Sequence, residues 1–406
     1  MKKKIIVRGP VLSQSGYGEQ TRFALRALLS NNNFDVFVQA TRWGHTGWIW
    51  EDTDERKMID ELITKTINHH RNGGNFDMSL QVTIPNEWEK ITPINIGYTA
   101  GIETSLVATD WLPKGNMMDH IIVVSKHSKD VYENTPAVAK DENTGKEFDY
   151  KMETQITAVN YAVRDRSTTE PIPGFEPSTD FNFLCVSQWG PRKNFTNTVK
   201  WFVEEFHDQN VGLVLKTSIA NNSVIDRSNS EERLSEILSS YKDRKCKVYM
   251  LHGDLSESQL NWLYKHDKIK SLVNIAHGEG FGLPMFEAAQ CALPVVTIGW
   301  SGQLDFLVHN GKEYFSKVKH EMKEIQPEAA WQGVLRADSK WAYADQGSFK
   351  MKLRDMKKNW KKHKKRATEL QTILCNDFTE EKVYQEFCSP IESFVGDAEE
   401  GDFVID

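Results

Sequence analysis

The sequence predicts an α/β protein with two doubly wound domains that face each other across a cleft. Two observations support this prediction. Short apolar runs alternate with amphipathic stretches along nearly the whole chain of 406 residues, which is typical of parallel strands joined by helices. The alternation stops between residues 166 and 180, where Ser, Thr, Pro and Gly predominate as in a linker. Each half is long enough for a Rossmann-like domain with its own core.

The apolar runs locate the elements of each domain. In the N-terminal domain, residues 1–168, we expect a helix at 19–29 and strands at 4–8, 35–39, 94–98, 121–125 and 157–161. In the second domain, residues 180–375, we expect helices at 197–205 and 284–291 and strands at 183–187, 211–217, 248–251, 272–276 and 294–297. Residues 376–396 are predicted to form a C-terminal helix that crosses back to the first domain, and residues 397–406 an acidic tail.

The composition narrows the class of protein. The formal net charge of −7 favours solubility and names no partner. No apolar run approaches the roughly 18 residues of a membrane span, and Ile5-Ile6-Val7 is too short for the core of a signal peptide. The five cysteines are odd in number and none has zinc-ligand spacing, which predicts free thiols in a reducing compartment. We therefore expect a cytoplasmic protein.

The segment from His277 to Ala288 carries the strongest chemical signal. It follows the predicted strand 272–276, and three glycines in it allow sharp backbone turns and the close approach of a ligand: Gly278, Gly280 and Gly282. Pro284 suits the first turn of a helix. The amides near Gly282 and Leu283 would then lie at a helix N-terminus, whose free N–H donors and partial positive charge suit a diphosphate.

Two carboxylates accompany this anion site. Glu279 lies in the loop, and Glu287 lies inside the helix about one turn deeper. Carboxylates repel phosphates, but they are good acceptors for the hydroxyls of a sugar ring or a ribose. The segment therefore predicts a site for a ligand that carries both a diphosphate and sugars.

The sequence Glu279-Gly280-Phe281-Gly282-Leu283-Pro284, followed by Glu287-Ala288, resembles the two-glutamate signature of retaining GT-B glycosyltransferases of the glycogen-synthase and sucrose-synthase superfamily (glycosyltransferase group 1, family 4-like). The resemblance covers residues 180 to 390 and is weaker before them. It implies the GT-B fold and transfer of a sugar, with retention, from a nucleoside diphosphate sugar to a hydroxyl acceptor. It also implies that the enzyme needs no cofactor and no metal.

The resemblance implies roles for these residues. Glu279 would hold the donor sugar, Glu287 would hold the ribose, and the 251–253 segment with Gly253 would flank the base. The backbone of the signature loop would meet the sugar and the diphosphate: Gly280, Phe281, Gly282 and Leu283. In the first domain, the loop Gly16-Tyr17-Gly18 would approach the donor phosphate, and Glu103 would reach an acceptor hydroxyl. We expect Glu279, Lys193 and Glu103 to be catalytic.

The loop from Ser187 to Asn194 resembles the family's diphosphate loop, with one departure. Lys193 matches the family lysine, but Gln188 occupies the arginine position, and Arg192 is a nearby candidate to replace it. This departure motivates an alternative hypothesis, a nucleotide-sugar-binding protein without transferase activity. A nicotinamide oxidoreductase is a further alternative, which Thr21 disfavours because it occupies the third glycine position of the dinucleotide fingerprint.

Residues 350–366 are predicted to form a basic helix with ten Lys and Arg side chains. Such a helix is either a solvated face or a surface for a polyanion. The acceptor is expected to be a glycan or a small molecule, and the basic helix adds the hypothesis of a nucleic-acid partner with a hydroxylated, flipped-out DNA base as acceptor. Asp52-Thr53-Asp54 fits a metal-binding Asp-x-Asp pattern, but the match lies in an acidic segment, so no metal site is expected.

Overall fold

Two six-stranded parallel sheets flanked by helices form the framework of the protein in a computed structural model that describes residues 2–141 and 143–395. The elements built around the first sheet are, in chain order, β1 (Lys3–Gly9), α1 (Gly16–Ser30), β2 (Phe34–Ala40), α2 (Asp54–Arg71), β3 (Met78–Val82), β4 (Ile94–Thr99), α3 (Trp111–Asn116), β5 (His120–Val123), α4 (Lys126–Asn134), β6 (Ala137–Lys140), β7 (Glu147–Tyr150) and β8 (Ile156–Ala158). The strand order is β2-β1-β3-β4-β5-β8.

The second sheet repeats this plan. Its elements are β9 (Asn182–Val186), α5 (Phe195–Phe206), β10 (Gly212–Thr217), α6 (Val224–Leu238), β11 (Lys247–His252), α7 (Glu257–Lys265), β12 (Ile269–Asn274), α8 (Leu283–Gln290), β13 (Val295–Ile298), α9 (Leu304–Leu307), β14 (Val308–His309), β15 (Lys312–Glu313), β16 (Ser316–Val318), β17 (His320–Glu324), β18 (Lys340–Ala344) and α10 (Gln346–Lys358). The strand order is β11-β10-β9-β12-β13-β16, and the predicted doubly wound class is confirmed.

Apolar strands buried on both faces explain why these runs form parallel sheets. In β1, Ile5 and Val7 are fully buried, and the strand lies between β2 and β3. The sequence pattern did not predict β3, because two of its five residues are polar. Ser79 and Gln81 are nevertheless buried, since Ser79 donates to Asn95 Oδ1 at 3.0 Å and Gln81 donates to the Glu89 carbonyl at 2.6 Å.

The predicted single basic helix at 350–366 is wrong. The segment contains the end of α10 and the start of α11 (Trp360–Asp377), with a break at Asn359. The Asn359 amide side chain donates to Asp355 Oδ1 at 2.7 Å, and the turn lets the Trp360 indole donate to the Lys270 carbonyl at 2.9 Å. Trp360 is partly buried against the apolar cluster of the second domain, and the break at Asn359 means that the basic residues do not share one continuous helix face.

The last described helix, α12 (Glu380–Glu392), lies against α1 of the first sheet. The Cys388 thiol donates to the Ala27 carbonyl at 3.3 Å, and Glu392 accepts from Asn31 Nδ2 at 2.7 Å. The predicted acidic tail at 397–406 lies outside the described residues. All five cysteines are free thiols, as their spacing predicted. Within the described residues, no helix combines the length and the apolar character needed to cross a membrane.

Candidate active site

Two loops from the carboxyl ends of strands meet in the cleft between the sheets. One follows β4 and contains Glu103, and the other follows β12 and contains Glu279. Their backbones touch: a Cβ at Gly278 would lie 2.0 Å from the Glu103 carbonyl oxygen, and one at Gly280 would lie 2.1 Å from that of Ala100. These two glycines therefore permit the approach of the other domain. The sequence predicted that they permit the close approach of a ligand, and contact between the domains explains them as well.

Glu279 is the centre of a charged cluster and is only 5% exposed. Lys193 Nζ lies 2.6 and 2.8 Å from its two carboxylate oxygens, and Arg192 Nη1 donates to Oε2 at 3.1 Å. Asn274 Nδ2 donates to Oε1 at 3.3 Å. Burial would raise the pKa of Glu279, but the charges of Lys193 and Arg192 outweigh it and hold the pKa at about 2. The carboxylate is therefore ionised at neutral pH.

Arg192 also reaches the first domain. Its Nη2 lies 3.1 Å from Glu103 Oε1, and its Nη1 donates to the Gly278 carbonyl at 2.7 Å. Burial raises the pKa of the Glu103 carboxyl, although the charges of Arg192 and Lys193 oppose this effect. Arg192 thus connects the carboxylates that the sequence assigned to the donor sugar and to the acceptor.

Gln188, at the position of the family arginine, does not join this cluster. Its side-chain amide donates to the Ile219 carbonyl at 2.6 Å. The cluster therefore receives its positive charge from Arg192 and Lys193, which belong to a short 3-10 turn after β9. Burial lowers the pKa of Lys193, and the neighbouring Arg192 charge lowers it further, while Glu279 opposes both.

The N-terminus of α8 offers free donors beside the cluster. Gly282 caps the helix with a left-handed φ of 96°, and no side chain in the described part of the protein caps it. Within the described residues, the amides of Phe281, Gly282 and Leu283 have no hydrogen-bond acceptor. The Phe281 ring is buried against Phe286 and Phe306, so only the backbone of this residue is available to a ligand. The arrangement suits an anion.

Glu287 lies on α8 and already has two partners that the sequence did not indicate. Tyr264 donates to Oε2 at 2.9 Å, and Arg166 Nη2 lies 3.3 Å from Oε1. Arg166 is held in turn by Asn261, whose Oδ1 accepts from Nη1 at 2.8 Å. A carboxylate has about four acceptor sites, so Glu287 retains capacity for hydroxyl groups while these partners fix its orientation. Arg166 belongs to the predicted linker, where no spacing pattern marks a functional residue.

The Gly16-Tyr17-Gly18 loop is the first turn of α1. Ser15 caps the helix by accepting from the Gly18 amide at 3.1 Å, and Gly16 is exposed. A Cβ at Gly18 would lie 1.9 Å from the Ser13 carbonyl oxygen, so packing requires this glycine. The buried Tyr17 hydroxyl accepts from the amide of Gly101 at 3.0 Å. Tyr17 therefore supports the loop that leads to Glu103.

Gly253 follows β11 and has a left-handed φ of 85°. A Cβ there would lie 2.8 Å from that of Asn222. Two charged side chains near it were not indicated by the sequence, namely Lys216 at the end of β10 and Asp254. No pattern in the sequence marks Lys216 and Asp254 as functional, because they come close together only through the pairing of β10 with β11.

Half of the cations of the basic segment are engaged by the protein itself. Five of the ten bind neighbouring groups: Lys350 to Glu204, Arg354 to Glu205, Lys357 to Gln209, Lys364 to the Ala292 carbonyl and Arg366 to Ser316. Helix α10 packs against α5, whereas α11, which carries the second half of the segment, packs against α8. The basic segment therefore divides between two helices that pack against different neighbours.

Comparison with known proteins identifies the fold. No protein-family model matches the chain, and no curated protein is significantly similar in sequence. Among solved structures, sucrose-phosphate synthase from Thermosynechococcus elongatus has a TM-score of 0.63 at 11% identity, over 97% of this chain and 99% of that one. A glycosyltransferase from Rickettsia africae has a TM-score of 0.60 at 13% identity, over 98% and 100%. The predicted GT-B fold is confirmed.

A third solved structure is similar along its whole length. It is an E. coli protein described as trehalose-6-phosphate bound with UDP-2-fluoro glucose, with a TM-score of 0.55 at 9% identity, over 96% of this chain and 99% of that chain. At such identities the similarity establishes the fold, and the chemistry has to be argued from the side chains of this chain.

Proposed function

We propose that this protein is a retaining glycosyltransferase that moves a sugar from a nucleoside diphosphate sugar to a hydroxyl acceptor. The observation that carries the proposal is the pairing of Lys193 with Glu279 beside the uncapped start of α8. One site thus combines donors for a diphosphate with an ionised acceptor for sugar hydroxyls. The GT-B fold, in which the neighbours include a glycosyltransferase and a sucrose-phosphate synthase, supports it.

The donor would occupy positions that the free polar groups define. Its diphosphate accepts from the amides of Phe281, Gly282 and Leu283 and from Lys193. Lys193 then shares its charge between the phosphate and Glu279, which frees carboxylate oxygens for the hydroxyls of the sugar. Glu287, held by Arg166 and Tyr264, accepts from the ribose hydroxyls.

The transfer step breaks the bond between the anomeric carbon and the diphosphate oxygen and forms a bond to the acceptor oxygen. Negative charge grows on the leaving diphosphate, and Lys193, Arg192 and the α8 amides stabilise it in place of a metal ion. The acceptor hydroxyl donates a hydrogen bond to Glu103 as it approaches. Attack from the face of the leaving group retains the anomeric configuration, and the hydroxyl proton passes to the departing diphosphate. Contact between the domains excludes water and limits hydrolysis.

We propose a glycan or a small molecule as the acceptor and the cytoplasm as the location, and the contacts of the basic segment weigh against a DNA acceptor. A hydroxylated DNA base requires a basic track for phosphates, and half of the predicted track is engaged by the protein itself. Binding of a nucleotide sugar without turnover is the second candidate. It is favoured by the position of Gln188, whose side chain is directed to the Ile219 carbonyl.

Donor turnover distinguishes the two candidates. Purified protein is incubated with UDP-, GDP- and ADP-sugars and a set of glycan and small-molecule acceptors, and nucleoside diphosphate release is measured. We expect release with one donor family, and a loss of roughly 100-fold in Glu279→Gln, because the sugar loses a charged acceptor. Glu313→Gln, which removes an exposed partner of Lys317, is the matched control and should be fully active. Binding of a donor without release in any combination would favour the binding protein.

A further inference from the structure

Two oppositely charged side chains lie where neighbouring strands of the second sheet end. Lys216 is the penultimate residue of β10, and Asp254 lies two residues after β11, which pairs with β10 in parallel. Within residues 2–141 and 143–395, neither side chain forms a hydrogen bond or an ion pair. Both are partly buried, and burial lowers the pKa of Lys216 and raises the pKa of Asp254. Ligands of doubly wound domains bind beyond the carboxyl ends of such strands.

One oxygen of the Asp254 carboxylate is buried without a hydrogen-bond donor among the described residues. Its Oδ2 atom is shielded from solvent and has no hydrogen-bond partner in the described part of the chain. Gly47 of the first domain lies against it, since a Cβ at Gly47 would be 3.2 Å from this oxygen. An acceptor buried without a donor costs free energy, and a ligand that supplies N–H groups removes this cost.

The position of the pair relates it to the proposed donor. Lys216 lies at the carboxyl end of β10, and Glu287, the carboxylate proposed to hold the ribose, lies on α8, which follows β12, two strands away in the same sheet. The carboxylates of Asp254 and Glu287 both oppose the effect of burial on the pKa of Lys216. A base attached to that ribose would therefore extend towards Lys216 and Asp254. Gly253, which the resemblance placed beside the base, directly precedes Asp254 in the chain.

Among the bases of GDP, UDP and ADP, guanine alone fits an ammonium beside a carboxylate in this way. A carboxylate accepts two hydrogen bonds side by side, and an ammonium only donates. Guanine offers two adjacent donors, N1–H and the N2 amino group, next to the acceptor O6. Uracil offers one N–H between two carbonyl oxygens, and adenine offers one amino group beside an acceptor nitrogen. Either base would therefore place an acceptor, a carbonyl oxygen of uracil or a ring nitrogen of adenine, against the second oxygen of the carboxylate.

We infer that Asp254 and Lys216 recognise a guanine base and that the donor is a GDP-sugar. Asp254 accepts from N1–H and the N2 amino group, and Lys216 donates to O6. This inference rests on the proposed glycosyltransferase function, because it assigns the base of that enzyme's donor.

Calorimetric titration of the whole protein with GDP, UDP and ADP tests the inference. We expect GDP to bind more tightly than UDP and ADP by roughly tenfold to a hundredfold, the range of one bidentate base contact. Asp254→Asn should remove this preference and should favour xanthosine diphosphate, whose C2 carbonyl accepts from the new amide. Lys216→Met should weaken GDP more than UDP. Asp180→Asn, an exposed change of the same kind, should keep the wild-type preference.

The outcomes separate this inference from the proposed function. Selective binding of UDP or ADP by the wild type, or an unchanged preference for GDP in Asp254→Asn, would overturn the guanine assignment and leave the transferase proposal intact. Binding of none of the three nucleotides by the folded protein would overturn both. Circular dichroism of each variant checks that it is folded, and the gain of xanthosine diphosphate binding cannot arise from a misfolded protein.

Discussion

Arg192 and Glu103 form an ion pair across the cleft, with 3.1 Å between Nη2 and Oε1. The same guanidinium contacts Glu279, so one side chain links the acceptor side of the cleft to the donor side. Burial lowers the pKa of Arg192, but the charges of Glu103 and Glu279 outweigh it and raise the pKa. The guanidinium therefore stays charged and holds the two loops together.

We expect Arg192→Ala to lower thermal stability and turnover together. Removal of the guanidinium leaves two carboxylates near each other, and the loss of one partner of a partly buried pair costs about 1–3 kcal/mol. Differential scanning calorimetry measures the shift in Tm. Arg227→Ala is the control, because its pair with Glu231 is exposed and contributes less than about 1 kcal/mol. Equal Tm shifts in the two variants would contradict the bridging role.

Gly280→Ala should prevent the two domains from closing. The new Cβ would lie 2.1 Å from the Ala100 carbonyl oxygen, and this contact can be relieved only if the loops separate. We expect a lower turnover and a larger radius of gyration in small-angle X-ray scattering. Gly347→Ala places its Cβ 3.5 Å from the nearest atom and should behave as wild type. An unchanged radius and rate in Gly280→Ala would show that the contact is dispensable.

The pH dependence of stability should report on Glu279. Its pKa is about 2 instead of 4.5, because the charges of Lys193 and Arg192 outweigh the effect of burial. Since the folded-state pKa is the lower one, the ionised carboxylate stabilises the fold above about pH 4.5, and this contribution of about 3 kcal/mol is lost as the pH falls towards 2. The Tm difference between wild type and Glu279→Gln should therefore be largest at neutral pH and should shrink below pH 4.5. A difference that is constant with pH would contradict the ion pairing.

Arg166→Ala should weaken nucleotide binding, although Arg166 is not proposed to touch the ligand. It holds Glu287 at 3.3 Å, and an unfixed carboxylate binds the ribose hydroxyls less well. We expect a roughly tenfold higher Kd for the preferred nucleoside diphosphate, as is typical of residues that orient a ligand-binding group. Arg336→Ala removes a partner of Asp338 and should not change the Kd. An unaltered Kd in Arg166→Ala would mean that Tyr264 alone positions Glu287.

Most strands were predictable because a buried parallel strand is a continuous apolar run, as in β1, β9 and β12. Strand β3 was not, because Ser79 and Gln81 are buried through hydrogen bonds that only the folded chain provides. The break at Asn359 was missed for a similar reason. Helix propensity favours continuity through this lysine-rich segment, and the break depends on tertiary contacts, namely the hydrogen bond of the Trp360 indole to the Lys270 carbonyl and the partial burial of its ring.

The candidate site was predictable where its residues are close in the chain. Glu279, Gly282 and Glu287 form one local pattern, and Lys193 occupies a recognisable loop. The partners Arg166, Lys216 and Asp254 come from a linker and from two strand ends, and only the folded chain brings them to the site. The role of Gly280 in contact between the domains also depends on a backbone from the other half of the chain.

The rate of nucleoside diphosphate release by Lys193→Ala tests the central claim most directly. Lys193 is the cation proposed to neutralise the leaving diphosphate, and Lys200→Ala, an exposed lysine on α5, is the matched control. We predict release by wild type and Lys200→Ala with one family of nucleotide sugars, and a rate lower by roughly 100-fold in Lys193→Ala with the fold intact. Undiminished release by Lys193→Ala, or no release by the wild type with any donor and acceptor, would contradict the account.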